Sequence, residues 1–537
     1  MKFITMTSVA TLALLAATAA QATIKVEYLD YDGGAVIASD APGNAGGTSS
    51  FPAVTSAFQG ISQYDTRAFG RGFIPPDTMG VVGATQFVET INGAMAVFDK
   101  ATGARTLIQS DVQFWANAGQ VGTQGDPRIL YDRPSNRWVA LSFGNGLSDI
   151  QVAVSTTSDA TGAWRSTKFT GFAGGIADYP TLAIDKNAVY IGTNNFGGAS
   201  NSFQGTTLNV LSLKNLLASS GPTTAGLVQF VTPYTGGASD DLSRGFAIQG
   251  VNSYDNTTTG KILAVSIDAN GLTRYNIANT GTAAATRGVA TDFIGTADYA
   301  SNGPARQPSP VVANQRIIDT SDDRVGSSVW EVNGRIYSVH TVTEVGTTHT
   351  VVRYNVLDAT TNAVLAEGDI GDVAHDYYQG SIAVNGLGQV VIGYNRSGLG
   401  ADGKISIMAR TYETNLDGTL KSTGPELLLK VSDSNDYHNG SLDGQAAVGR
   451  QRWGDYSAVS SDPTSPHKFW VIGEFAREPN NAAGGHPGGT GGTRFGTFIT
   501  SLDVGSVPEP ASWGMMIAGF SLVGAMQRRR RLGYATA

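Results

Sequence analysis

Seven times along the chain a short polar lead-in, usually built on aspartate, precedes a brief apolar strand, a turn rich in Asp, Asn or Gly, and one to three further alternating strands. The lead-ins read PPDTMGVVG at Asp77, GDPRILYD at Asp126, ADYPTLAID at Asp178, a weaker SRGFAIQGV near Arg244, DDRVGSSVWEV at Asp323, HDYYQGSIAVN at Asp376 and WGDYSAVSSD at Asp455. Outward runs such as NRWVALSF, NAVYIGTNN, QVVIGYNR and HKFWVIGEF follow, partly alternating as half-buried strands require. Such units cannot bury their faces alone, so at roughly 50 to 80 residue spacing they must stack around an axis. The pattern predicts an all-β chain folded as a β-propeller of seven blades, with six also compatible. Because the spacing is uneven, notably between the fourth and fifth lead-ins, a pair of β-sandwiches is the alternative architecture.

Composition agrees with short strands and tight turns: glycine supplies 68 of 537 residues. The chain has no cysteine, which excludes disulfides, thiolate metal sites and cysteine nucleophiles, so a large packed core must carry the stability. The formal charge is -8, and removing Lys2 and the four C-terminal arginines leaves a body near -13. Such a field disfavours nucleic acid, which is bound mainly by cations on phosphate.

Both ends carry export features. The start has a positive Lys2, an apolar run from about Val9 to Ala17 and a small-x-small site, Ala20-Gln21-Ala22, which predicts signal peptidase cleavage after Ala22. Near the far end, Ala511 to Met526 form an apolar stretch barely long enough to span a bilayer, followed by Arg528, Arg529, Arg530 and Arg531. Those arginines stay cytoplasmic by the positive-inside rule, which places the body on the outer side of the inner membrane.

Pro508, Glu509 and Pro510, then Trp513, Met515, Met516, Gly519, Gly524 and the arginine run, resemble the PEP-CTERM sorting signal in its PEPxxWA-type variant, with Gly514 where that variant usually has Ala. The resemblance implies processing by an exosortase, a membrane transpeptidase that removes the tail, in a Gram-negative bacterium that makes exopolysaccharide. The expected organisation is a signal peptide over 1–22, a loose segment over 23–73 with a possible ring-closing strand at IKVEYLDY, a propeller body over 74–505, the sorting signal over 506–531 and a cytoplasmic end over 532–537.

Within the body, Ser158-Asp159, Gly162 and Trp164 are similar to a degenerate Asp-box of sialidase-like (BNR-repeat) propellers. There Asp caps the turn, Gly supplies a positive backbone angle and Trp packs between strands. Residues 74 to 503 as a whole look like exported bacterial propellers of undefined activity. The arginine triad and Tyr/Glu pair that a sialidase needs are not assignable, so the resemblance implies fold and not that activity.

If the lead-ins open innermost strands, their polar residues converge at one mouth of the central channel. Asp126, Arg128, Asp178, Tyr179, Arg324, Asp376, Asp455 and Tyr456 are then the ligand-binding candidates: arginine and aspartate for hydroxyls or a carboxylate, tyrosine for ring faces. The same aspartates could instead bond backbone amides in repeated turns. His375, Tyr377 and Arg452 are candidates for a lyase-type base and carboxylate clamp. No cofactor is required. Calcium could occupy an Asp/Gly-rich turn such as NLDGT at Asp417, although no EF-hand ladder is present.

The expectation is an envelope or biofilm-matrix protein that binds polysaccharide or another surface component without catalysis. A polysaccharide lyase or glycosidase acting on exopolysaccharide is the alternative. Its expected route is an inner-membrane-anchored precursor, held there transiently by the tail helix, and then the outer surface or matrix.

Overall fold

The computed structural model describes residues 52–70, 73–122, 125–234, 244–255, 259–266, 270–288, 292–308, 316–438, 449–479, 481–484 and 492–505. The signal peptide, IKVEYLDY and the sorting tail lie outside the described residues.

Seven antiparallel units of four or five strands follow one another along the chain, the fourth and fifth joined into one nine-stranded sheet by a parallel pairing of Val251–Ser253 with Val329–Glu331. Blade 1 runs Met79–Val82, Gln86–Ile91, Ala94–Asp99 and Arg105–Ser110; blade 2 runs Arg128–Asp132, Arg137–Phe143, Asp149–Ser155 and Trp164–Thr170. In blade 3 the innermost strand is split into Gly175–Asp178 and Ala183–Ile184, followed by Ala188–Gly197, Ser202–Ser212 and Val228–Pro233. Blade 4 runs Phe246–Ser253, Gly260–Val265 and Gly271–Ala278, edged by Thr286–Arg287 and Asp292–Gly295. Blade 5 runs Val329–Val332, Arg335–Thr343, Thr350–Asp358 and Val364–Ile370; blade 6 runs His375–Val384, Gln389–Gly398 and Ser406–Thr414, edged by Leu420–Ser422 and Leu427–Val431. Blade 7 takes Ala458–Ser461, Lys468–Pro479 and Thr493–Asp503 from the end of the body, and Ala53–Ser62 from its beginning.

Each innermost strand touches those of its neighbours, and that of blade 7 touches both blade 6 and blade 1, so the ring is closed. This is a seven-bladed β-propeller. One apolar layer fills each gap: Val390 and Ile392 face blade 5 with Val339 and Val352, whereas Val391 between them faces blade 7 with Val471 and Phe498. A strand buried on both faces reads as a continuous apolar run, which is why QVVIGYNR alternates only in part. Tight hairpins join the strands; Asn333 and Gly334, at φ 53° and 73°, form the primed turn between Val329–Val332 and Arg335–Thr343.

The ring closes through Ala53–Ser62, which pairs antiparallel with Thr493–Asp503 from Ala53↔Asp503 to Ser62↔Gly496. The segment expected to be loose therefore supplies the closing strand, at a position other than IKVEYLDY. As the outermost strand of its blade it is half exposed, so its apolar pattern is weak. The junction is locked by Glu89 of blade 1, which is fully buried. It accepts from the Ile61 amide at 2.9 Å and the Thr497 hydroxyl at 2.5 Å. Burial pushes its carboxyl up to about 8, against the pull of those two hydrogen bonds, so at neutral pH it is held as the acid. Glu89→Gln is expected to melt within a few degrees of the parent near neutral pH. Glu89→Ala strands the Ile61 amide, while Thr497 keeps the Ile61 carbonyl at 3.0 Å, and should cost roughly 1–3 kcal/mol, read as a lower urea midpoint.

Candidate functional site

Every lead-in does open an innermost strand, and in five blades the chain enters it through a non-glycine residue near φ 50°: Asp77 (51°), Asp126 (47°), Tyr179 (50°), Ala247 (48°) and Gln379 (54°). A bulky residue in the left-handed region is costly and persists only where the surroundings hold it. The recurring kink turns the chain at the same end of each blade, and there the polar side chains of several blades meet.

Arg128 lies at the centre, 3% exposed. Its guanidinium donates from Nε to the Pro180 carbonyl at 3.0 Å and from Nη1 to the Gly326 carbonyl at 3.3 Å, and stacks 3.4 Å above the Tyr456 ring. Tyr179 packs on Tyr456 at 5.1 Å and receives Arg324 over its face at 4.2 Å. Arg324 is clamped by Asp322 through two 2.5 Å bonds. Asp77 accepts from the Asp455 amide at 2.9 Å and from Asn92 at 2.6 Å, and Asn92 in turn accepts from the Asp126 amide at 3.0 Å. Arg452 lies 3.9 Å from Asp455.

Crowding of carboxyls away from water sets the electrostatics. Burial, then the neighbouring Asp455, pushes Asp77 up to about 7, with Arg452 pulling the other way. Burial raises Asp126 well above the carboxylate range, reinforced by Asp178, Asp77 and Asp455. Asp178 is pushed up to about 6 by burial, moderated by Arg324. Tyr179 is raised to about 12 by burial, so it remains a neutral phenol. The mouth thus combines three guanidinia with four aspartates, part of them protonated near neutrality, and two aromatic faces. It can donate and accept many hydrogen bonds at once.

Arg128, Tyr179, Arg324, Asp126, Asp178, Asp455, Tyr456 and Arg452 are therefore brought together, from blades 2, 3 and 7 and the segment leading into blade 5. Asp376, His375 and Tyr377 are not. In blade 6 the kink falls on Gln379, so the innermost strand begins upstream of it and the HDYY segment lies away from the mouth. Asp376, fully buried, binds Arg306 at 2.7 Å and anchors the connection before blade 5. His375 lies between Asp372 and Asp402 at 3.0 and 3.2 Å, and Tyr377 donates to Asp372 at 2.8 Å. Tyr377 packs in the layer between blades 5 and 6, so it shares no site with Arg452.

Several residues of the mouth escape sequence reasoning: Asp77, Asn92 and Asp322, described above, and two more. Gln379, at the kink of blade 6, bonds the Gly454 carbonyl. Glu474, on the second strand of blade 7, is 2% exposed with neither carboxyl oxygen hydrogen-bonded in the described residues; burial, then Asp77, holds it well above the carboxylate range. The only signal was one acid inside HKFWVIGEF, where alternation assigns it to solvent.

The irregular spacing has a structural cause. Long segments before blades 5 and 7 pair as a parallel ribbon, Arg316–Ile318 with Gly449–Gln451, and deliver Arg324 and Arg452 to the mouth. The ribbon is tied by ion pairs of Arg316 with Asp436 and Arg450 with Asp319. The Asp-box segment is also modified: Asp159 caps its turn through the Thr161 amide at 2.9 Å and Trp164 packs on Phe114 at 5.0 Å. Gly162, however, has no positive φ; a Cβ there would instead sit 3.2 Å from the Asp159 carbonyl. Asp417 accepts from Thr419 in its own hairpin turn. Among the described residues no group of three or more His, Asp or Glu is arranged to hold a metal ion.

A family model of the PEP-CTERM protein-sorting motif matches residues 506–531. The chain carries this sorting signal. The PEP-CTERM tail makes the protein an exported, membrane-anchored precursor that an exosortase processes. Among the described residues no helix is long and apolar enough to cross a membrane; Ala511 to Met526, expected from the sequence to span the bilayer, lie outside them. No curated protein matches the sequence. Among solved structures, the chain is similar to a protein of unknown function from Dyadobacter fermentans (12% identity, TM-score 0.36, covering 80% of this chain and 94% of that one). It is also similar to Drosophila Semaphorin 1b, extracellular domains 1-2 (9%, 0.37, 85% and 88%), and to a neuraminidase-like protein of a flat-faced bat isolate from Peru (11%, 0.35, 81% and 97%). The propeller assignment rests on the closed ring of sheets, not on these likenesses.

Proposed function

We propose that this protein is a surface propeller that binds a polyhydroxylated ligand, a polysaccharide of the envelope or matrix, in its axial mouth without turning it over. The observation that supports the reading is the asymmetry of the mouth. Asp77 and Asp126 stand at the kinks of blades 1 and 2, Asp178 precedes that of blade 3 and Asp455 lies in the lead-in of blade 7, while the kinks of blades 4 and 6 carry Ala247 and Gln379 and the blade 5 aspartate Asp322 is taken up by Arg324. Turn-capping aspartates would recur in every blade. A one-sided set of acceptors flanked by Arg324 and Arg452, over the faces of Tyr179 and Tyr456, instead suits an oriented ligand.

One observation favours the glycosidase alternative. Asp77, pushed up to about 7, accepts from the Asp455 amide, and burial with Asp77 nearby raises Glu474, so carboxyls are grouped as acid–base cleavage of a glycosidic bond requires. The lyase alternative loses its motivation, since His375 and Tyr377 are remote from Arg452.

The full-length protein in detergent, incubated with the host's exopolysaccharide, should retain it saturably and generate no new reducing ends or unsaturated products. Arg324→Gln should weaken retention about tenfold through one lost charge-assisted contact. Reducing ends that vanish in Asp77→Asn would replace the binding reading with the glycosidase one.

A further inference from the structure

A second cleft, of about 230 Å³, opens between blades 2 and 3, away from the axial mouth. Arg137 and Arg165 lie on the same face of blade 2, because Val139 pairs with Val154 and Val154 with Arg165. The opposite wall is the segment after the short helix Leu213–Leu216, with Leu217, Ala218 and Pro222. Several arginines of this acidic protein are matched to a carboxylate, as Arg306, Arg353 and Arg396 are. Arg137 and Arg165 are held by carbonyls instead: Arg137 donates to the Ser155 carbonyl at 2.6 Å and Arg165 to the Ser219 carbonyl at 2.7 Å. Among the described residues neither has a carboxylate within ion-pair distance, and no acid lines the cleft.

Two guanidinia sharing a cleft repel one another, and each has five donors of which the carbonyls engage few. A planar oxyanion between them would relieve the repulsion and take a forked hydrogen bond. Val154, Leu216, Leu217 and Pro222 give the cleft an apolar patch for one face of a small ring, beside the polar Ser155, Thr156 and Ser219. The volume is below the roughly 300–1,000 Å³ of sites for drug-sized ligands, so it fits one ring and not an oligomer.

We propose that this cleft binds the carboxylate of a single acidic sugar residue, its charge on Arg137 and Arg165 and its ring on the leucine and proline wall. The proposal does not rest on the axial mouth. Calorimetric titration of the full-length protein in detergent with sodium glucuronate should show saturable binding that glucose does not reproduce. An Arg137→Gln/Arg165→Gln variant should weaken it at least about tenfold, as two charged contacts require. Ala218→Trp, which fills the cleft and leaves both guanidinia, should also weaken it, whereas Lys421→Gln on the exposed edge strand of blade 6 should not. Unchanged affinity in the double variant and in Ala218→Trp, or no saturable glucuronate binding by the parent, overturns the proposal. Saturable binding of inorganic sulfate without glucuronate overturns the sugar assignment.

Discussion

Replacing Arg128 with alanine is expected to cost the protein about 3–5 kcal/mol, enough to lower its urea midpoint sharply, because the guanidinium is the buried hub on which the blades converge. It donates to carbonyls at Pro180 and Gly326, from blade 3 and the lead-in of blade 5, and its plane lies on Tyr456 of blade 7. Alanine leaves two carbonyls without a donor, opens a cavity between Tyr179 and Tyr456, and removes the cation that faces Asp126. Arg128→Lys is expected to recover only part of the loss, since an ammonium keeps the charge but neither the fork nor the stacking plane. Urea unfolding of parent and both variants measures this; equal midpoints would mean that the guanidinium is dispensable to the ring.

The second large effect concerns pH. Glu89, Asp77, Asp178 and Asp323 are raised to about 8, 7, 6 and 6 in the folded state, in each case chiefly by burial. Between the ordinary carboxylate range of the unfolded chain and these raised values the folded protein binds protons that the unfolded chain has released, so stability falls as pH rises through that window. It is highest near the unfolded carboxylate range and lost by about pH 8. His340, lowered to about 4 by burial, acts oppositely, because folding excludes its proton between about 4 and 6.5. Asp372 also opposes at the acid end: against the upward push of its burial, hydrogen bonds from Tyr377 and His375 hold it to about 2, so its contribution fades only below the ordinary aspartate range. Several raised carboxylates outweigh one histidine, so the protein is expected to be more stable near pH 5 than near pH 8 by on the order of several kcal/mol, read as a higher melting temperature at pH 5. Asp77→Asn and Glu89→Gln should each flatten the profile. A melting temperature that climbs toward pH 8 in the parent would refute the account.

The ring was legible in the sequence because the chain changes character at one place in every blade, from a polar lead-in to an apolar run, and the structure puts the kink there. Register within a blade was less legible. HDYY resembles the other lead-ins, but its strand carries a bulge between Tyr378 and Ser381, which moves the kink to Gln379 and sends His375 and Tyr377 elsewhere. Arg324 and Arg452 reach the mouth through a ribbon between segments more than a hundred residues apart, a pairing that no local pattern encodes. Glu474 was hidden for a related reason: alternation assigns an acid in a strand to water, and only the neighbouring blade removes the water.

The closing strand also imposes an order of events. Ala53 pairs with Asp503, so the first strand of the body has no partner until the last one has arrived. For a chain threaded across a membrane from its beginning, six blades can stack while the seventh waits. The final pairing becomes possible only as the stretch just ahead of the sorting motif at residue 506 emerges. Completion of the ring and presentation of the tail to its processing enzyme therefore fall in the same interval, so a chain cut too early would leave as an open arc with an unpaired edge.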